Sequence, residues 1–344
     1  MPVPKTTVTQ LCHLSKVAVE ERVLLSAHTR FGIGGPADVY METASEPSLT
    51  EALEIVRESG CEYTVIGDGT NLIVSDAGFR GIVLRFTNAE IQNNGNKIQV
   101  AAGASLQNLV DYCVERGFRG LETMTGIPGS VGAAVYGNAG AYGHSINERI
   151  RQVRFINSGK MCVFENAACE FRYRESIFKR HKEWTIVSAD FEMDSANAAE
   201  LHKTASDILR IRLEKYPPTM KCAGSIFKNL ILADLPDAVR RQVPEQVVRE
   251  GKVASAYFLE QVGAKGMEKG GIRVADYHAN LIYNAGQGTA SELCQVIEEL
   301  KSRVQRRFGL ALEEEVQYVG FSPNDRESES DVPVTARSKG HDRF

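Results

Sequence analysis

A hydroxyl, a guanidinium and a carboxylate far apart in the chain are the groups best suited to proton and charge chemistry: Ser225, Arg174 and Glu315. Ser225 stands in Ala223-Gly-Ser-Ile-Phe-Lys-Asn229, where a hydroxyl beside glycine is soon followed by a cation and an amide. Read as chemistry, Ser225 is a proton donor or nucleophile and Lys228 an anion holder. The GxSxG pattern of a nucleophile elbow is absent, and on this heptad alone a turn serine beside a surface lysine is the simpler reading. Arg174, in Phe171-Arg-Tyr-Arg-Glu-Ser176, carries the side chain that best recognises a carboxylate; a paired surface arginine is the alternative. Glu315 precedes an apolar run, so it can sit at a strand end where burial favours the protonated acid; a solvated carboxylate is the default.

Two glycine-rich segments can bring bare backbone to a ligand. In Gly126-Ile-Pro-Gly-Ser-Val-Gly-Ala-Ala-Val-Tyr-Gly-Asn-Ala-Gly-Ala-Tyr-Gly143, glycine recurs at 126, 129 and 132 and again at 137, 140 and 143. Such a chain can lay its amides against a large phosphorylated ligand, or can simply form tight turns and close-packed strands. Gly67-Asp-Gly-Thr-Asn-Leu72 follows the apolar Val65-Ile66 and offers amides together with the Thr70 and Asn71 side chains. Neither is a Walker motif, because no Gly-Lys-Ser/Thr follows. Neither is a dinucleotide fingerprint, because 126–132 is GxxGxxG and its proline is expected to spoil a strand-to-helix turn.

Composition narrows the ligand. The net charge of -4 is mixed along the chain, which leaves no basic face for nucleic acid. With 43% hydrophobic residues and no apolar run long enough for a bilayer, no membrane role is expected. The N-terminus shows no secretory signal, so a cytoplasmic location is the expectation. Seven scattered cysteines without a CxxC pair argue against disulfides and structural zinc, and the seven histidines lack HxxxH spacing, so no metal is assigned. A small-molecule ligand is the better reading.

The 344 residues suggest two or three domains. A small α/β unit is expected first, with a glycine-rich entry at 31–38, a helix at 48–59 and strands at 63–66, 72–74 and 81–84. A strand at 97–101 and a helix at 105–116 stopped by Gly117 follow, then strands at 153–157, 163–164 and 185–191. A helix at 198–215 ends before Tyr216-Pro-Pro218, which reads as a domain boundary. The third region has helices near 254–262 and 291–308, an exposed excursion of short helices at 230–251, and a closing strand at 314–320. The polar tail 322–344 reads as disordered.

Taken in order, Thr29-Arg-Phe-Gly-Ile-Gly-Gly-Pro-Ala-Asp38, 67–72, 126–132, 137–143, Tyr173-Arg-Glu-Ser176, Gly224-Ser-Ile-Phe-Lys-Asn229, His278-Ala-Asn280 and Glu315-Val316 resemble the UDP-N-acetylenolpyruvoylglucosamine reductases of peptidoglycan synthesis, from about residue 26 to 321. The resemblance implies an α+β chain with a two-subdomain FAD-binding fold of the vanillyl-alcohol-oxidase type and a C-terminal α+β substrate domain. The corresponding limits are 1–85 and 86–216 for the subdomains, with a return strand at 311–321 grouped with the second, and 217–310 for the substrate domain. FAD is implied as a non-covalent cofactor, NADPH as hydride donor, and a UDP-sugar as substrate, in a protein expected to be a monomer.

Carried onto this sequence, the resemblance gives the cofactor Gly67, Asp68, Gly69, Thr70, Asn71, Leu72, Gly126, Ile127, Pro128, Gly129, Ser130 and Gly132. It adds Asn138, Ala139, Gly140, Tyr142 and Arg212 on the same side. Tyr173, Lys228, Asn229, Lys252, Glu260 and Gln261 match substrate positions. The implied reaction is hydride transfer from NADPH to flavin N5, then from the flavin to C3 of the enolpyruvyl group. Arg174 and a neutral Glu315 are implied to stabilise the enolate-like charge, and Ser225 to protonate C2.

Overall fold

The computed structural model describes residues 2–322; the tail expected to be disordered lies almost wholly outside them. Its first unit is a four-stranded sheet ordered Val17–Glu21, Ala37–Thr43, Phe79–Phe86, Tyr63–Ile66, antiparallel at the first pair and parallel at the other two. Parallel neighbours need a crossover, and helix Glu46–Ser59 supplies one. Ser45 caps this helix by accepting from the Ser48 N–H at 3.3 Å, and Gly60, at φ 66°, ends it. Its buried face places Leu49, Leu53 and Val56 among Val39, Met41, Ile82 and Leu84, each of the three contributing about 1.5–3 kcal/mol.

The second unit is an antiparallel sheet of five strands in the order Lys160–Glu165, Ile150–Asn157, Thr185–Glu192, Lys97–Ala101, Ile91–Asn94. Helices Leu106–Glu115 and Ala198–Lys215 and the short helix Val131–Tyr136 accompany it. That short helix is entered from the one-turn helix Glu122–Met124 rather than from a strand, so there is no strand-to-helix turn at the proline. Pro128 stands ahead of the cap, where no helical N–H is needed, and the Ser130 hydroxyl accepts from the Ala133 N–H at 3.3 Å.

The third unit pairs Lys221–Ser225, His278–Asn284, Ile272–Ala275 and Glu268–Lys269 in an antiparallel sheet beside helices Ser255–Gln261 and Ala290–Phe308. Its core also takes in Phe31, Ile33 and Ile73 from the first unit. Two contacts tie these units. Asn284 donates to the Phe31 carbonyl at 3.0 Å, and the Asp76 carboxylate accepts from the Ala290 and Ser291 N–H groups at 2.8 and 2.9 Å.

Two expectations are corrected here. Segment 230–251 does contain the short helices Asp237–Arg240, Leu232–Asp234 and Glu245–Val247, but its ends also form strands Leu230–Ile231 and Val248–Arg249 on either side of Lys252–Val253. The return strand, Gln317–Val319, pairs in parallel with Leu72–Val74 of the first unit rather than joining the second. The register is fixed just ahead of it, where Asn71 donates to the Glu315 carbonyl at 3.1 Å and Gln317 donates to the Asn71 carbonyl at 2.9 Å.

Candidate active site

Where the three units meet lies a cavity of about 400 Å³, whose lining includes Ser225, Arg174, Glu315 and Arg212. A second lobe of about 220 Å³ runs along the first unit past 64–67 to Lys182 and Trp184. Thr70, Asn71, Ser130, Arg174 and Glu315 line both lobes, so they form one cleft.

Arg174 is placed by a tight turn. Arg172 and Glu175 form an isolated antiparallel bridge, and Arg174 adopts a left-handed φ of 57°, uncommon for a side chain of its size. Asn138 anchors the turn by donating to the Arg172 carbonyl at 2.8 Å while accepting from the Asn147 N–H at 3.3 Å. The guanidinium donates to the Gly140 carbonyl at 2.8 Å, and its Nε lies 2.7 Å from Glu315 Oε1. The Nε–H is not aligned for a hydrogen bond to that oxygen, so the contact is an ion pair. Glu315 reaches this place because its N–H donates to the Ile226 carbonyl at 2.7 Å.

Ser225 ends strand Lys221–Ser225 after a bulge that separates its pairing with Leu281 from that of Cys222 with Tyr283. Gly224, at φ 79°, makes the turn that aims the serine at the cleft. The 225–229 loop is then tied across the molecule. Buried Lys228 bonds Glu175 Oε1 at 2.7 Å and Glu313, and Lys179 bonds the same Glu175 oxygen at 2.8 Å. Burial works against the lysine's charge, but the two carboxylates overcome it and raise its pKa.

The glycine segments meet each other. A Cβ on Gly67 would stand 2.5 Å from Ser130 Oγ, and one on Gly129 would stand 2.7 Å from Thr70 Oγ1. Thr70 donates to the Pro128 carbonyl at 3.3 Å. These glycines therefore let the two turns close on one another, the tight-turn alternative left open by the sequence, while the same turns line the cleft. Beside them, Arg212 Nε is buried without a hydrogen-bond partner. Burial, with the nearby charges of Arg30 and Arg174, lowers the pKa of Arg212. The lining of the larger lobe holds three guanidiniums, of Arg30, Arg174 and Arg212, and a single carboxylate, Glu315. Paired turns and unneutralised guanidiniums suit a dinucleotide with a diphosphate, so the residues present fit FAD.

Most sequence-derived cofactor residues line the cleft: Gly67, Gly69, Thr70, Asn71, Leu72, Gly126, Ile127, Pro128, Ser130, Gly132, Ala139, Gly140 and Arg212. Asp68 turns instead to Arg85 at 2.7 Å, Asn138 serves the Arg174 turn, and Tyr142 is half exposed. The substrate positions line neither lobe. Tyr173 accepts from the Asn229 N–H at 3.3 Å, with Lys252 4.6 Å over its ring. Lys228 is held by carboxylates, Glu260 pairs with Lys265 at 2.9 Å, and Gln261 Nε2 is buried without a partner. Sequence reasoning missed Arg30, which has no pattern beyond its glycine-rich neighbours, and Tyr136, whose burial pushes its phenol up to about 12. Among the described residues no group of His, Cys, Asp and Glu is arranged to hold a metal, and no helix is long and apolar enough to cross a membrane.

Comparison with known proteins adds to this geometry. Residues 216–319 match the family model for the UDP-N-acetylenolpyruvoylglucosamine reductase C-terminal domain, and residues 37–162 match an FAD binding domain. The UDP-N-acetylenolpyruvoylglucosamine reductase of Solibacter usitatus is 60% identical over 311 residues, covering 90% of this chain and 100% of that protein. The one from Anoxybacillus flavithermus is 32% identical over 305 residues, covering 88% and 94%. The crystal structure of the Thermus caldophilus reductase superposes with a TM-score of 0.70 at 26% identity, over 88% of this chain and 99% of that one.

Proposed function

The chain belongs to the UDP-N-acetylenolpyruvoylglucosamine reductase family, and from that premise we propose how its cleft performs the reduction. The activity is the NADPH-dependent reduction of UDP-N-acetylglucosamine enolpyruvate to UDP-N-acetylmuramate, with FAD as cofactor, in peptidoglycan synthesis. Held by turns 67–72 and 126–132 with Arg212, FAD would supply the hydride-transfer chemistry between NADPH and the enolpyruvyl C3.

The observation that carries the reading is the convergence of Ser225, Arg174 and Glu315 on one cavity beside Arg212, whose buried Nε has no hydrogen-bond partner. Hydride arrival at C3 drives charge onto C2 and the carboxylate. Arg174 holds that carboxylate, for which its fork is suited. In doing so it gives up its ion pair with Glu315, 2.7 Å away, whose carboxyl faces the same group. Ser225 delivers a proton to C2. A bare serine is a poor acid in water, so the step needs a hydroxyl that is polarised and reprotonated through a relay, in a site from which bulk solvent is excluded. Turns 67–72 and 126–132 with Arg212 hold the cofactor. Tyr173, Asn229 and Lys252 meet the substrate at the rim, while Lys228 acts through its carboxylates to fix the 225–229 loop. We also infer a monomer in the cytoplasm, a setting that suits free cysteines at all seven positions.

The test is spectroscopic. The purified protein is expected to be yellow, to bleach on anaerobic NADPH, and to regain colour when the enolpyruvyl substrate is added. A colourless protein, or one reoxidised only by oxygen, overturns the reading.

A further inference from the structure

The strand that should hold Ser225 gives it little support. Regular pairing with His278–Asn284 is broken by the bulge between Cys222 and Ser225, and the chain leaves the sheet directly afterwards. What holds the departing segment is Asn280, only 2% exposed. Its carbonyl accepts from the Ile226 N–H at 3.1 Å. Its side-chain Oδ1 accepts from the Phe227 N–H at 2.9 Å, and its Nδ2 donates to the Phe227 carbonyl at 2.9 Å. One carboxamide thus satisfies both polar groups of a single residue, as a neighbouring strand would. The second Nδ2 hydrogen goes to Ser255 Oγ at 2.8 Å, so the amide cannot flip without losing partners.

The opposite edge of the same segment carries the other acid. Glu315 donates its N–H to the Ile226 carbonyl at 2.7 Å, Lys228 donates to the Glu313 carbonyl at 2.9 Å, and Phe227 bridges Glu314. The three-residue stretch after Ser225 is therefore clamped between Asn280 and the 313–315 chain. Its position sets where Ser225 and Glu315 stand relative to each other.

We propose that Asn280 is a positioning residue for the second half of the reaction: by clamping the Phe227 peptide it fixes Ser225, and through the 226–315 backbone bond it fixes Glu315. The inference rests on the reading of Ser225 as the proton donor. The clamp uses one side-chain acceptor and two donors of Asn280 at once. An ionised aspartate keeps the acceptor for the Phe227 N–H and loses both donors, a protonated one keeps a single donor for two acceptors, and a leucine of similar shape keeps only the backbone bond to Ile226.

The experiment uses the full-length, FAD-loaded protein with Asn280→Asp, Asn280→Ala and the milder Ser255→Ala, each alone and in a Ser225→Ala background. NADPH bleaching, flavin recovery on substrate addition, substrate affinity by spectral titration, FAD content and thermal midpoint are measured for each. A displaced catalytic group is expected to slow recovery about 10- to 100-fold in Asn280→Asp, with bleaching and substrate affinity within about threefold of the parent. In the Ser225→Ala background the same change costs less than about threefold, because both act on one step. Full additivity there, unchanged recovery in Asn280→Asp, or a parallel loss of bleaching, recovery and FAD in all three variants, including Ser255→Ala, overturns the proposal. The two readings fail separately. Full-speed recovery in Ser225→Ala removes the proton donor itself, whereas slow Ser225→Ala beside fast Asn280→Asp removes only the clamp.

Discussion

Lys228 Nζ and Glu175 Oε1, 2.7 Å apart, join the loop that carries Ser225 to the turn that carries Arg174. Glu313 on the other side of the lysine adds the segment that carries Glu315. One buried ammonium thus gathers all three candidate catalytic groups, which come from distant parts of the chain. Glu175 also takes Lys179, and although its partial burial works against ionisation, the two lysines hold its pKa below the usual glutamate range.

Replacing that lysine with methionine is expected to leave Glu175 with Lys179 alone and Glu313 without this cation, so that nothing joins the two carboxylates. The loss is about 1–3 kcal/mol rather than the larger figure for a fully buried pair, because Glu313 is well exposed and screened. Denaturant unfolding of Lys228→Met against the parent measures it. A change under about 0.5 kcal/mol would show the clasp to be decorative.

Arg212 gives a prediction of opposite sign. A buried guanidinium nitrogen without a partner costs stability until an anion arrives. Arg212→Gln is expected to leave the FAD-free protein as stable or slightly more stable, while weakening retention of the nucleotide about 10- to 100-fold. Thermal midpoints with and without FAD check both halves. A variant that destabilises the FAD-free protein and binds FAD normally would make Arg212 purely structural.

His278 supplies the pH dependence. Burial, aided by the charge of Lys215, lowers its pKa to about 4, so the folded protein keeps it neutral while the unfolded chain titrates near the ordinary value. Between those values the unfolded state binds more protons. The stability that neutral His278 contributes is therefore full above about pH 6.5 and declines as pH falls toward 4. In His278→Asn, whose Oδ1 can stand in for the Nδ1 that accepts from the Asn280 N–H at 3.2 Å, that part of the slope disappears. Thermal midpoints at pH 4.5, 5.5 and 6.5, as test conditions chosen around about the ordinary histidine value, compare the two proteins. Parallel curves would refute the assignment.

How far these features are legible in the sequence depends on whether a local signal sets them. Helix Ala198–Lys215 can be read to its ends because Asn197 caps it and Pro217 follows its last turn. Helix Val131–Tyr136 cannot, since Gly132 and the preceding Pro128 both imitate loop chemistry while a single serine cap decides the outcome. The motif order brings Ser225, Arg174 and Glu315 together as a set, but their spacing comes from long-range bonds such as Asn71 to Glu315 and Asn138 to Arg172. The return strand is assigned to the wrong neighbour for the same reason: its own three residues fit either sheet, and Asn71 chooses. Asn280 is visible as one of two amides in strand His278–Asn284, yet nothing in its spacing names Phe227 as its partner.

The two half-reactions of Ser225→Ala, followed anaerobically through flavin absorbance, test the role of Ser225 most directly. Bleaching by NADPH is expected to stay within about twofold of the parent, while recovery on adding UDP-N-acetylglucosamine enolpyruvate slows by about 10² or more. Recovery at the parent rate, or equal loss of both steps, would contradict the placement of Ser225 as the group that protonates C2.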